Sequence, residues 1–333
     1  MRVALLACSL AALAAAVDDR PAIPVQYTKV LAKWRSVVRP ELQVPNIGPA
    51  VRHALAVPSA CVPDGGVMLS LTNKHHLGLR ALQFALVKQH TCMFDRLVTT
   101  GYNASDSFGR IVVVDEVVPA SDFRRSNYAN MVWAKWRLIS DALRFARLAL
   151  WIDADVLLLR NPWEALRLLG PAPAGGTAAA AAAAAFDIRY QSEYRCWEVE
   201  PARLRALCPR LNGGQLLVSN RQLARDIYAM RPKNLTNLHL LDQDYADAYI
   251  LNRSNYSHAP LPGTFHAHCW HVRTFDLCKQ VTHHFNCAET GKKKGVLMKL
   301  MAQEWTTRGC ANQTRVGATS RSFGQGGLAP SMQ

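Results

Sequence analysis

Beyond residue 17 this sequence has no apolar run long enough to cross a bilayer, which takes roughly 20 residues. It has no Cys-x2-Cys pair, so the spacing that marks structural zinc sites is missing. No stretch repeats at a fixed period, which excludes solenoids and propellers. Acidic residues are scarce: 24 Asp and Glu stand against 39 Lys and Arg, a formal net charge of +15. The basic residues are nonetheless scattered, and only Lys292-Lys293-Lys294 forms a run. The concentrated footprint of a nucleic-acid binder is therefore absent. What is present is a chain of 333 residues, 50% hydrophobic and 19% charged. That suffices for one large α/β domain or two small ones, globular rather than disordered.

The N-terminus reads as a targeting segment. Arg2 precedes Val3 to Val17, an unbroken run of apolar or small residues, and Asp18-Asp19 ends it. Ala14-Ala15-Ala16 supplies small residues for cleavage. Residues 1–17 fit a secretory signal peptide, with a short signal anchor as the alternative; membrane association follows only if the segment stays uncleaved. Five Asn-x-Ser/Thr sequons, at Asn103, Asn234, Asn252, Asn255 and Asn312, point the same way. So do the cysteines: nine minus Cys8 leaves eight, an even number suited to disulfides whose pairing the sequence does not give. The expected address is the secretory pathway, in the Golgi or ER lumen, with secretion possible. In such a setting the positive charge suits anionic partners: nucleotide-sugar phosphates, acidic polysaccharide or a membrane surface.

Residues 18–64 are rich in proline and poor in pattern, and read as a stem or flanking segment with one short helix near 30–38. The folded domain is expected over 65–304, with a flexible tail over 305–333. VMLSLT (67–72), RLVTTG (96–101) and RIVVVDE (110–116) read as strands, and LGLRALQFALVKQH (77–90) as a helix. This β-α-β alternation predicts a parallel sheet with helices on its faces. Val132, Trp136, Ile139, Leu143 and Ala146 recur at helical spacing over 131–146, with Lys135, Arg137 and Arg144 off that stripe. LALWI (148–152) then reads as a buried strand. The alanine tract within 170–185 fits either strand or helix. LNGGQLLVS (211–219) reads as a turn followed by a strand, and 221–231 and 241–250 as helices.

Asp153 and Asp155 follow LALWI directly. Buried carboxylates without partners are costly, yet the carboxyl ends of parallel strands are where α/β folds bind ligands. Alternation places residues i and i+2 on one side, so both carboxylates can face one ligand. Two hard oxygen donors suit Mg2+ or Mn2+ shared with substrate phosphates.

In this context WIDADVLLLRNPW (151–163) resembles the metal-binding motif of the GT-A glycosyltransferases. More narrowly, it is similar to the plant and algal nucleotide-diphospho-sugar transferases that include cell-wall arabinosyl- and xylosyltransferases. Other segments resemble that group in the same order: VMLSLTNKHHLGLRALQFALVKQH, Asn212-Gly213-Gly214, Asp242-Gln243, and His284-Phe285-Asn286 followed by Gly291-Lys292-Lys293-Lys294. The resemblance spans roughly 65–300. It departs at the alanine tract and at Gly213-Gly214, where the family has a threonine or serine between Asn and Gly.

The resemblance implies a GT-A, Rossmann-like, mostly parallel sheet with helices on both faces. It implies a divalent-metal-dependent glycosyltransferase that is retaining and moves a pentose or hexose from a nucleoside-diphosphate sugar, UDP being the favoured nucleotide. Asp153, Asp155 and His284 would hold Mn2+ or Mg2+. Lys292 or Lys293 would pair with the diphosphate, Thr72 and Asn73 would meet base or ribose, and Lys135 and Arg137 would contact phosphate. Asn212, Asp242 and Gln243 would sit near the transferred sugar and a glycan, glycoprotein or lipid acceptor. Simpler readings stand beside these. Asp242 also suits a helix N-cap. Histidines 266, 268, 271, 283 and 284 with Cys269 make zinc conceivable. A haloacid-dehalogenase-like phosphatase also carries D-x-D after a buried strand, though with Thr or Val where Leu157 stands. A non-catalytic carbohydrate-binding relative is the third alternative.

Overall fold

The computed structural model describes residues 44–73, 76–87, 91–100, 111–114, 128–167, 186–192, 211–231, 242–252, 255–267, 276–286, 288 and 290–312. Seven strands form the main sheet: β1 (Gly66–Ser70), β2 (Leu97–Thr100), β3 (Val112–Val114), β4 (Leu148–Ile152), β6 (Ile188–Ser192), β7 (Leu211–Val218) and β8 (His258–Pro260). Their order is β3-β2-β1-β4-β7-β6-β8. All neighbouring pairs are parallel except those of β7, which runs against both β4 and β6. This is the mostly parallel α/β sheet that the β-α-β alternation predicts. A second sheet joins β5 (Val156–Leu158), β10 (Thr282–His284) and β9 (Phe265–Ala267) in the order β5-β10-β9.

The two-residue period of the strands divides the core. Val67, Leu69, Ala149 and Trp151 point to one face of the main sheet. There they meet helices α1 (Gly48–Leu55), α3 (Tyr128–Ala142), α5 (Arg221–Ala229) and α6 (Asp242–Asn252), through Val51, Trp133, Ile139, Leu223 and Tyr245 among others. Met68, Leu148, Leu150 and Ile152 point to the other face. They pack on Phe84, just after α2 (Leu77–Gln83), on Phe94, and on Trp163 and Leu166 of α4 (Pro162–Arg167). Helix α7 (Gly291–Thr307) buries Met298, Met301 and Trp305 against Leu79, Leu157 and Phe285, and so covers the small sheet. Its ends are fixed by local chemistry: Thr290 Oγ1 accepts from Lys293 N as an N-cap, and Gly309 takes a left-handed φ of 65° just after it.

Four boundaries differ from the sequence reading. Residues 44–64, assigned to the flanking segment, include α1, whose Val51 and Ala54 lie in the core beside Ile47. The expected tail contributes the end of α7 and Cys310, which sits at disulfide distance from Cys278, with Cα atoms 4.8 Å apart. LNGG is strand rather than turn, because its glycines lie in β7 where other side chains need the room. Helix α3 starts and ends three or four residues before the predicted span, and its buried stripe includes Trp133. The N-terminal 43 residues, the short helix near 30–38, the alanine tract, Asn103, Asn234 and residues 313–333 lie outside the described residues. Among the described residues no helix is long and apolar enough to cross a membrane.

Cys61 and Cys92 form a second pair, with Cα atoms 5.5 Å apart. Peptide mapping of the unreduced protein is expected to recover Cys61 linked to Cys92 and Cys278 linked to Cys310. Cys278→Ser should lower the unfolding free energy by about 2–4 kcal/mol in a denaturant titration. Free thiols at these positions in the folded protein would contradict the pairing.

Candidate active site

The crevice opens where β1 and β4 end side by side. Leu71 and Thr72 line it after β1, Asp153, Ala154 and Asp155 after β4, Met131, Val132 and Lys135 from α3, and Lys294 from α7. The chain leaves β4 at Ile152, turns through the two aspartates and enters β5. Strand β10 pairs antiparallel to β5 with His284 opposite Val156, which carries the imidazole to Asp155. His284 Nε2 lies 3.3 Å from Asp155 Oδ1. Asp153, Asp155 and His284 each offer one ligand atom within 4.8 Å of the other two.

The hydrogen bonds around His284 decide what its ring presents. Nδ1 is 2.9 Å from Gln191 Oε1, and Gln191 Nε2 donates to the Phe265 carbonyl at 3.3 Å. That second bond fixes the amide, so the atom facing Nδ1 is an oxygen, which can only accept. Nδ1 therefore carries the proton. In the neutral ring the Nε2 lone pair then faces a carboxylate oxygen, two acceptors with nothing between them. A shared proton or a bound cation resolves this, and a donated Nδ1–H is the usual outer partner of a metal-bound histidine. Two carboxylates and an imidazole nitrogen thus fit a divalent cation, and the nitrogen favours Mn2+ over Mg2+.

Charge is concentrated here. Lys294 Nζ contacts Asp155 Oδ2. Burial pushes the Asp155 carboxyl up, but Lys294 and His284 together hold it well below the usual carboxylate range. Asp153 is raised, chiefly by burial and further by Asp155, with Lys135 pulling the other way. Trp151 Nε1 donates to Asp153 Oδ1 at 2.6 Å, which holds one oxygen and leaves the other for a ligand.

The glycine pair explains how β7 fits beneath these groups. A Cβ on Gly214 would stand 2.1 Å from His284 Cε1 and 2.5 Å from Nδ1, a distance no packed ring allows. A Cβ on Gly213 would stand 2.5 Å from Lys135 Nζ and 3.6 Å from Asp242 Oδ2. Lys135 Nζ instead donates to the Gly213 carbonyl at 2.8 Å and pairs with Asp242 Oδ2 at 3.1 Å. Burial lowers the Lys135 ammonium, but Asp242 and Asp153 outweigh it and the net shift is upward. The lysine is therefore buried as a cation, although it lies off the apolar stripe of α3. Asp242 also accepts from Trp136 Nε1 at 2.7 Å. Gln243 Oε1 accepts from Gly213 N at 3.3 Å, and Asn212 Oδ1 from Gly214 N at 2.8 Å. Asn212, Asp242 and Gln243 thus gather behind β7, tied to the crevice through Lys135.

The remaining expected residues divide. Thr72 lines the crevice, its N donating to Thr100 Oγ1 at 2.8 Å. Asn73 is fully buried, with Nδ2 3.1 Å from Met131 Sδ. Arg137 points away, pairing with Asp141 at 2.8 Å and lying 6.0 Å over the Tyr228 ring. Lys292 and Lys293 are exposed, whereas Lys294 lines the crevice and contacts Asp155. The signal lay in the helix: stepping back from Met301 and Met298 at spacings of three and four reaches Lys294, not its neighbours. Trp151 and Gln191 were also missed, and no local pattern marks either.

No protein-family model matches the chain, and no curated protein matches it. Among solved structures it is similar to a glycosyltransferase involved in glycosylation of the major capsid of PBCV-1, at 12% identity and TM-score 0.43, over 71% of this chain and 98% of that one. It is also similar to the galactosyltransferase LgtC in complex with donor and acceptor sugar analogs, at 10% identity and TM-score 0.38, over 74% of this chain and 99% of that one. A third is the apo form of the glycosyltransferase GlyE of Streptococcus pneumoniae TIGR4, at 12% identity and TM-score 0.38, over 73% of this chain and 63% of that one. Likenesses this distant say nothing of substrate or mechanism.

Gly214→Ala is expected to displace the His284 ring and weaken Mn2+ binding by roughly 10–100-fold, the size of effect seen when a ligand's support is removed. Gly213→Ala, which meets the Lys135 ammonium rather than the His284 ring, should do less. Equal affinities in the two variants, measured by Mn2+ titration, would contradict the packing account.

Proposed function

We propose that the chain is a metal-dependent glycosyltransferase that takes a pentose or hexose from a nucleoside-diphosphate sugar, UDP-linked, and passes it to a glycan or glycoprotein acceptor with retention. The observation that carries this reading is the trio Asp153, Asp155 and His284, with ligand atoms within 4.8 Å of one another at the carboxyl end of β4. Bound there, Mn2+ or Mg2+ would act as a Lewis acid for the charge left on the departing diphosphate. Lys294, at the same carboxylate, is placed to offer an ammonium to phosphate, a role lysine suits as a point charge. Thr72 and the ends of β1 and β4 offer the wall for nucleoside. Lys135 and Asp242 form a buried ion pair that fixes the floor of the crevice beside Gly213. Asp242, held on Oδ2 by Trp136 and Lys135, serves as the counter-ion of that lysine behind β7. The N-terminal targeting segment, the sequons and the paired cysteines support work in the secretory pathway.

A panel of UDP-sugars incubated with purified protein is the direct test. UDP release is expected with Mn2+ for at least one sugar, to fall to background with EDTA, and to be lost in Asp155→Ala. Orthophosphate release from phosphomonoesters, without UDP release, would point to a phosphatase instead. Metal-independent sugar binding without turnover would favour a non-catalytic binder.

A further inference from the structure

Helix α2 carries a charge that the proposed chemistry leaves unused. Arg80 is 1% exposed, and its partners Ser70 and Gln83 are 0% exposed. Among the described residues Arg80 has no ion-pair partner, and its Nη2 has no hydrogen-bond partner. Burial pulls its guanidinium down to about 9, with the Asp153 charge opposing, so it remains cationic at neutral pH. A buried charge with no counter-ion is costly to keep. Its contacts show where it acts.

Arg80 Nε donates to the Thr100 carbonyl at 3.1 Å, and Nη1 donates to both Ser70 Oγ and Gln83 Oε1. A guanidinium has donors only, so the amide oxygen of Gln83 must face it. The amide nitrogen is thereby turned the other way, and Gln83 Nε2 donates to the Asp153 carbonyl at 2.8 Å. Ser70 Oγ, an acceptor toward Arg80, donates to the Ile152 carbonyl at 2.8 Å. One cation beneath the sheet end therefore sets the donors on two successive carbonyls, where β4 gives way to the aspartate turn.

We propose that Arg80 is a positioning residue: through Gln83 and Ser70 it fixes the peptide units of Ile152 and Asp153, and so aims Asp153 and Asp155 at the bound cation. This rests on the metal-dependent reading of the site. It assigns Arg80 no contact with donor or acceptor.

The test is direct Mn2+ binding, followed by electron paramagnetic resonance on folded protein well below its Tm. Gln83→Met keeps the bulk and the arginine but removes the donor to Asp153. It and Arg80→Met are each expected to weaken Mn2+ binding by roughly 10–100-fold, as loss of a metal site's outer support does. Arg80→Lys, which keeps the charge and one donor direction, should recover part of that loss. A merely structural network would lower Tm and leave the Mn2+ affinity of the folded variants within twofold of wild type; that result overturns the proposal. Should either methionine variant fail to fold, Ser70→Ala makes the mildest cut, with a several-fold weakening expected and unchanged affinity again overturning. Normal wild-type binding with unaffected variants sinks the role of Arg80 alone. Absence of Mn2+ binding by wild type sinks the metal site and this role with it.

Discussion

The contact between the His284 ring and the bare backbone of Gly214 holds the site together. His284 belongs to the small sheet and Gly214 to the large one, so this contact is also a junction between sheets. Two further bonds lie at the same place: Asp153 N donates to the Gly214 carbonyl at 2.8 Å, and Thr282 Oγ1 donates to Gln215 Oε1 at 2.7 Å. A side chain at 214 would separate the sheets at the point where the three ligand-type groups converge. The missing atom is thus a requirement of space, not of backbone conformation, since no left-handed φ is found there.

Around that junction the charges are arranged in layers. Asp153 and Asp155 face the crevice, Lys294 closes on one of them from α7, and Lys135 and Asp242 neutralise each other behind β7. Burial works against the charge on three of these groups: Lys294 and His284 outweigh it at Asp155, Asp242 and Asp153 outweigh it at Lys135, and at Asp153 burial prevails. Each charged side chain is therefore held by another element: α3 by β7 and α6, and α7 by the turn after β4. The crevice is rigid for an electrostatic reason as well as a packing one.

Much of this is legible in the sequence, and the limits have physical causes. LALWI reads as a buried strand because an unbroken apolar run has few other uses, and the structure places β4 over the same five residues. Asp153 and Asp155 are legible from their position after it, and His284 from its spacing in the resemblance. LNGG misleads because paired glycines usually signal a turn, whereas here the lack of a Cβ serves tertiary contacts. Lys135 looks like the polar side of an amphipathic helix, since its partners Asp242 and Gly213 are remote in the chain. The lysine run hides Lys294 because three identical residues differ only in helical phase. Gln191 and Gln83 carry no pattern at all: a buried amide is recognised by what it touches.

The order in which the crevice is assembled along the chain has a further consequence. Its walls come from Thr72, Lys135, Asp153, Asp155 and Lys294, and its ring from His284, with Gly214 between. Apart from His284 and Lys294, which sit on consecutive elements, each segment is separated from the next by at least one whole strand or helix, and the last arrives only with α7. Loop closure over such distances is paid before the contacts reward it. Any chemistry at this site would need the chain closed through α7, and would therefore report on the completed fold.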